Sequence, residues 1–133
     1  MAFVKFDNTY QQEIKFMNYT ERLNQTKSHF PFDEWAQLGP ALYTPENCNE
    51  LAKIFDDLIA DLISKGENAP ESEKVESFRI AIEATNKFND KFNGAFIETG
   101  EREELWELTN IITVAVGLDP ENYGDGEGLS SEW

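Results

Sequence analysis

The stretch from Thr44 to Gly66 carries the strongest structural signal in the chain. Its apolar residues recur at intervals of three and four, which places them on one face of an α-helix. They are Cys48, Leu51, Phe55, Leu58, Leu62 and Ile63. Thr44 is a favourable N-cap, Pro45 suits the first helical position, and Lys65-Gly66 is a typical helix ending. The pattern predicts an amphipathic helix whose apolar face is buried against other elements.

The same periodicity predicts three further helices. One runs from about Asn8 to about Lys27, another begins near Pro70-Glu71 and stops at Gly94, and the last spans about Gly100 to Val116. On a helical wheel the last helix has an apolar face made of Leu105, Leu108, Ile112, Ala115 and Val116. Glu103, Glu107 and Asn110 are predicted to point the opposite way.

Residues 28–43 form an aromatic-rich connector with two prolines and a glycine. One short helical turn is expected around Asp33–Leu38. The apolar side chains of the connector are predicted to fold onto the helices as a lid; they are Phe30, Phe32, Trp35, Leu38 and Tyr43.

These elements predict the fold class. The chain has 133 residues, of which 40% are apolar, enough for one domain with a real core. There is no hairpin signal and no internal repeat. We therefore expect one all-α domain over residues 1–133, either a four-helix bundle or an orthogonal helical domain. The acidic tail, residues 118–133, is expected to be irregular and loosely held.

The charge of the chain is strongly negative and unevenly distributed. The formal net charge is −15, and residues 98–133 carry ten acids against Arg102 alone. Such acidity disfavours direct binding to nucleic acid or to an anionic membrane. It favours a basic protein partner, or it serves solubility only.

The remaining features of the sequence concern the cellular compartment of the protein. Cys48 is the single cysteine, so an intrachain disulfide is excluded and a reducing compartment is indicated. No stretch approaches the roughly 20 apolar residues of a membrane span. We interpret the Asn-x-Thr tripeptides at Asn18 and Asn24 as chance, and we expect a cytoplasmic protein.

A search for catalytic or metal chemistry finds no complete motif. A Cys-His pair would need His29 and Cys48, and Cys48 lies on the predicted buried face. The tail fails as a calcium loop, because Tyr123 and Ser130 occupy ligand positions that require oxygen donors of another kind. We therefore expect no enzyme activity, no cofactor and no metal.

The glutamates of residues 98–108, ETGEREELWEL, need two explanations. Glu98, Glu101 and Glu103 lie near a helix N-terminus, where negative charge is favourable and where Thr99 or Gly100 can cap. Glu103 with Glu107, and Asp57 with Asp61, are instead outward like-charge pairs, each costing about 0.2–0.5 kcal/mol in a free helix. These pairs serve solubility or await a basic partner. Trp106 is expected to wedge the helices together.

The C-terminal region resembles a known group of proteins. The matching residues are Ile97-Glu98-Thr99, Arg102-Glu103-Glu104, Gly117-Leu118 and Glu132-Trp133. This pattern is similar to that of small acidic immunity proteins, which neutralise the toxin domains of bacterial interference systems. The resemblance implies a tight, stoichiometric inhibitor without enzymatic activity, and it carries no fixed catalytic residues.

Charge, size and resemblance together predict an immunity protein that binds a cognate toxin and occludes its active site. A nuclease, or another enzyme with a basic cleft, is the favoured toxin. The alternatives are an acidic nucleic-acid mimic that inhibits a DNA-binding enzyme, and a structural or adaptor domain. The predicted contact residues are Asp57, Asp61, Glu103 and Glu107, with Tyr123, Asp125 and Glu127 from the tail.

Overall fold

The computed structural model describes residues 16–130, and residues 1–15 and 131–133 lie outside this description. The described part contains α-helices joined by turns and has no strand, which confirms the predicted all-α class there. The helices are α1 Tyr19–Gln25, α2 Phe32–Leu38, α3 Pro45–Lys65, α4 Glu71–Asp90 and α5 Thr99–Ala115. None of them is long and apolar enough to cross a membrane.

Helix α3 is the central element, and it packs against α4, α2 and α1. Its predicted ends are confirmed. The Thr44 hydroxyl accepts a hydrogen bond from the Asn47 amide at 3.1 Å, and Gly66 ends the helix with φ of 90°. The predicted buried face is also confirmed apart from Ile63, which is half-buried, while Ile59 joins the core.

The connector folds onto α3 through its aromatic rings, as predicted. The Phe32, Trp35 and Tyr43 side chains are buried, and the Tyr43 hydroxyl donates to the Phe96 carbonyl at 2.6 Å. The prediction is wrong for Leu38, whose surface is 78% exposed. Leu38 is the last residue of α2 and lies outside the hydrophobic core cluster.

Helix α1 is much shorter than predicted. It begins at Tyr19 because Asn18 caps it: the Asn18 side chain accepts from the Glu21 amide at 2.8 Å. The Asn18 amide donates in return to the Glu21 carboxylate at 3.2 Å, which completes a capping box. Residues 16–18 are therefore not helical, and residues 8–15 of the predicted helix lie outside the described part.

Helix α4 begins where the sequence predicts and ends earlier. It stops at Asp90, and a turn carries the chain to Gly94. Helix α5 begins one residue before its predicted start, with Glu98 as the N-cap instead of Thr99 or Gly100. The Glu98 amide donates to the Glu101 carboxylate at 3.2 Å, so the first turn is organised by the glutamates themselves.

Two predictions about the C-terminal part are wrong, and they share one cause. The predicted apolar face of α5 is buried, yet Asn110, expected on the opposite face, is also fully buried. Residues 118–130 are not loosely held, because Leu118 and Leu129 pack against the core and Pro120 is buried. The tail lies over a flank of α5 that the helical wheel assigns to solvent.

Candidate functional site

Two polar contacts fix the tail to the helices. The Trp106 indole of α5 donates a hydrogen bond to the Glu127 carbonyl. The Tyr123 hydroxyl donates to the Glu71 carboxylate, at the start of α4, at 2.7 Å. Burial, with help from this bond, raises the pKa of Tyr123 to about 12. The phenol therefore stays neutral at physiological pH and keeps its donor proton.

The tail contacts bring most of the predicted site residues into one region. Glu103 and Glu107 are exposed on α5, and the Trp106 bond draws Glu127 alongside the turn that carries them. Asp125 precedes Glu127 in a tight turn and has φ of 56°. We call Glu103, Glu107, Asp125 and Glu127 the acidic edge.

The carboxylates that form salt bridges lie in one part of the described chain. There are seven salt bridges, and every carboxylate in them belongs to residues 50–83. Residues 98–130 contain nine acids, and within the described chain none of these forms a salt bridge. Among the described residues, the negative charge of α5 and the tail is thus opposed locally by Arg102 alone.

Asp57 and Asp61 belong to a different surface, and both already have cationic neighbours. Lys53 Nζ lies 2.8 Å from Asp57 Oδ2, and Lys65 Nζ lies 3.2 Å from Asp61 Oδ2. Asp61 is less exposed than Asp57, because it lies at the contact between α3 and α4, where its side chain is 45% exposed. There it also accepts a hydrogen bond of 2.5 Å from the Ser77 hydroxyl.

The grouping of Asp61, Lys65 and Ser77 invites a test for nucleophilic chemistry. Lys65 Nζ donates to Ser77 Oγ at 2.7 Å, and Ser77 is 2% exposed. The hydrogen bond from Ser77, followed by Lys65, lowers the pKa of Asp61 against the opposing effect of burial. A carboxylate with a lowered pKa is a weak base, and an ammonium donor cannot accept the serine proton. The network joins α3 to α4 and does not activate the hydroxyl.

The only cysteine offers no reactive thiolate. Cys48 is 1% exposed on α3, and burial, with a smaller effect from Asp33, raises the pKa of its thiol. A raised pKa keeps the thiol protonated and unreactive. Across residues 16–130, no group of three or more His, Cys, Asp or Glu side chains is placed to hold a metal ion.

The sequence alone did not indicate a cleft between α4 and the tail, which we call the tail cleft. Its volume is about 640 Å³. The apolar lining comes from Val75, Phe78 and Ile82 of α4 and Leu129 of the tail, and the charged lining is Glu76, Arg79 and Glu83. The spacing of the charged residues is visible in the sequence. No local feature of the sequence indicates that tail residues line the same cleft as these charged residues.

Comparison of the chain with models of protein families, with curated proteins and with solved structures found no match. The assignment to the immunity proteins therefore stays a prediction.

Proposed function

We propose that the protein is a cytoplasmic, non-enzymatic immunity protein that binds a toxin domain and occludes its active site. In this proposal the acidic edge meets a basic surface of the toxin, such as the substrate cleft of a nuclease. The observation that carries the proposal is the absence of salt bridges among the acids of residues 98–130, within the described chain.

These acids are suited to a partner because they have no ion pair with another described residue that would have to break before they bind. Residues 50–83 contain the contrasting case, since Arg79 is shared between Glu76 and Glu83. Complementary charge raises the association rate and selects the partner, more than it adds affinity. Four clustered acids thus support recognition of a basic protein at ordinary ionic strength.

The contacts in the structure revise which predicted residues take part. Asp57 with Lys53, and Asp61 with Lys65, are one-to-one pairs that leave no surplus negative charge for a new cation. We therefore leave them out of the proposed contact. Tyr123 remains in the proposal as the residue that anchors the tail through Glu71.

The test uses two variants with the same net charge. The first neutralises the acidic edge with Glu103→Gln, Glu107→Gln, Asp125→Asn and Glu127→Gln. The control neutralises four exposed acids that form no salt bridge in the described chain: Glu34→Gln, Glu46→Gln, Glu73→Gln and Asp90→Asn. The partner is the toxin domain encoded beside the gene, with affinity measured calorimetrically at several salt concentrations.

We expect the first variant to bind the toxin at least about tenfold more weakly and with a smaller salt dependence. The control should bind as the unaltered protein does. Equal loss in both variants would mean that only net charge matters and would contradict the acidic edge as the contact. Comparable binding to several unrelated DNA-binding proteins would instead favour the nucleic-acid mimic.

A further inference from the structure

The tail cleft combines an apolar floor with a charged rim. Phe78 lies at its base and is 1% exposed, while Val75 and Ile82 are half-buried on its α4 side. Leu129 closes the opposite side. A cleft of about 640 Å³ falls within the range of sites that enclose a side chain or a small ligand.

The charges at the rim leave a surplus of carboxylate. Arg79 Nε lies 2.6 Å from one oxygen of Glu76, and Arg79 Nη1 lies 2.8 Å from Glu83 Oε2. One guanidinium therefore serves two carboxylates, and the three groups together carry one negative charge. An anion is disfavoured here, and a cation with an apolar stem matches both the floor and the rim.

Beneath the tail side of the cleft lie buried polar side chains that form no hydrogen bond within the described chain. Asn110 is fully buried and Ser130 is 3% exposed. Within the described chain, neither the Asn110 carboxamide nor the Ser130 hydroxyl makes a hydrogen bond. The Asn110 amide lies directly beneath Gly128, which lines the cleft. Buried polar groups without a hydrogen-bond partner are costly, so they lower the stability with which this part of the tail is held.

We infer that the tail cleft receives an arginine or lysine side chain of the partner as the anchor of the complex. This inference rests on the proposed function and names the contact at its centre. The aliphatic stem of the anchor would lie on Val75, Ile82 and Leu129. Its charged end would lie at the rim, where Glu76, Arg79 and Glu83 together keep one negative charge in surplus. The turn that lines the cleft also carries Asp125 and leads to Glu127, so the cleft borders the acidic edge.

The test needs no toxin, because the anchor can be supplied as a small probe. Full-length isotope-labelled protein is titrated with Nα-acetyl-arginine methylamide while the amide resonances of Asn86, Gly124 and Gly128 are followed. The uncharged control probe is Nα-acetyl-citrulline methylamide, which has nearly the same shape. We expect saturable shifts with the arginine probe and binding about tenfold weaker with citrulline.

Two variants separate the cleft from general acidity. Ser72→Trp fills the cleft from its rim without changing charge and should abolish the shifts. Ser64→Trp, at an exposed position of α3 outside the cleft, should leave them unchanged. Glu83→Gln should weaken the arginine probe and leave the citrulline probe unaffected. Equal binding of both probes, no saturable shift, or unaltered binding by Ser72→Trp would each overturn the inference.

The same variants distinguish this inference from the proposed function. In the toxin complex, Ser72→Trp should lower affinity and reduce the salt dependence only by the share of one charge. Neutralising the acidic edge removes four charges and should reduce that dependence much more. If the toxin binds and Ser72→Trp does not change its affinity, the inference about the cleft is wrong and the proposed function is unaffected. If the arginine probe binds and the toxin does not, the cleft is a cation site and its assignment to that toxin is wrong.

Discussion

The Trp106 indole on α5 donates its hydrogen bond to the backbone carbonyl of Glu127 in the tail. Because the acceptor is a carbonyl, the bond holds the path of the tail and leaves the Glu127 carboxylate free to face solvent. One tryptophan thus contributes to both the stability of the C-terminal part and the position of an acidic side chain.

The first prediction concerns this bond. Trp106→Phe keeps an aromatic ring and removes the donor, so the free energy of unfolding should fall by about 1 kcal/mol. Amide hydrogen exchange should become faster in residues 124–130 and stay unchanged in α3. Mass spectrometry of the exchanged peptides measures this directly, and unaltered exchange in the tail would show that the bond does not hold it.

The second prediction compares two glycines. Gly128 has φ of 107°, and a methyl group added to it would lie 2.3 Å from Asn110 Oδ1. Gly94 has φ of 81° and open space around it. Gly94→Ala should cost only the strain of a left-handed residue, about 1–2 kcal/mol, and Gly128→Ala should cost more.

Urea denaturation of both variants measures the difference, and an Asn110→Ala background identifies its source. Removing the Asn110 carboxamide should relieve most of the extra cost of Gly128→Ala. If the two glycine variants were equally destabilised, the close contact between tail and α5 would be incorrect.

The third prediction concerns a buried lysine. Lys74 is 6% exposed, and its ammonium donates to the Glu67 carbonyl at 2.7 Å and to the Val116 carbonyl at 3.0 Å. Lys74→Met keeps the length of the side chain and leaves both carbonyls without this donor. The free energy of unfolding should fall by about 2–4 kcal/mol.

Lys87→Met is the matched control for that measurement. Lys87 is exposed and forms no salt bridge with the residues described, so its replacement should change stability by less than about 0.5 kcal/mol. Thermal and urea unfolding of both variants give the comparison. Similar stability of the two would contradict a structural role for Lys74.

The fourth prediction is a pH dependence. The pKa of Asp61 is lowered in the folded protein below its ordinary value of 3.8, chiefly by the hydrogen bond from Ser77. Its contribution to stability is therefore present above that value and is lost as the pH falls through the lower, folded value. The stability difference between the unaltered protein and Asp61→Asn should shrink in this acidic range. A difference that stays constant from about pH 7 to about pH 3 would contradict the assignment.

Local sequence signals predicted the helices well where the ends depend on neighbouring residues. Thr44 and Gly66 bound α3 as expected, because capping and left-handed endings involve only a few adjacent groups. Asn18 also caps α1 locally, but a continuing apolar pattern across it concealed the boundary. The N-terminal limit of that helix was therefore placed too early.

Contacts between distant segments were not predictable in the same way. Asn110 was expected to face solvent because the wheel considers one helix alone, and the tail that buries it follows many residues later. The position of Asp61 beside Ser77 was not predictable for the same reason, since it depends on how α4 crosses α3. Glu103, Glu107, Asp125 and Glu127 could be suspected from charge, but their grouping depends on the docked tail.

Every ion-paired acid of the described chain lies between residues 50 and 83, whereas the nine acids of residues 98–130 are opposed there by Arg102 alone. This uneven separation of charge has a consequence at long range. Such a separation is an electric dipole, and the field of a positively charged surface exerts a torque on it before contact. The torque turns α5 towards that surface. At physiological ionic strength the field decays over about 8 Å, so this orientation takes place in the last stage of approach and disappears in concentrated salt.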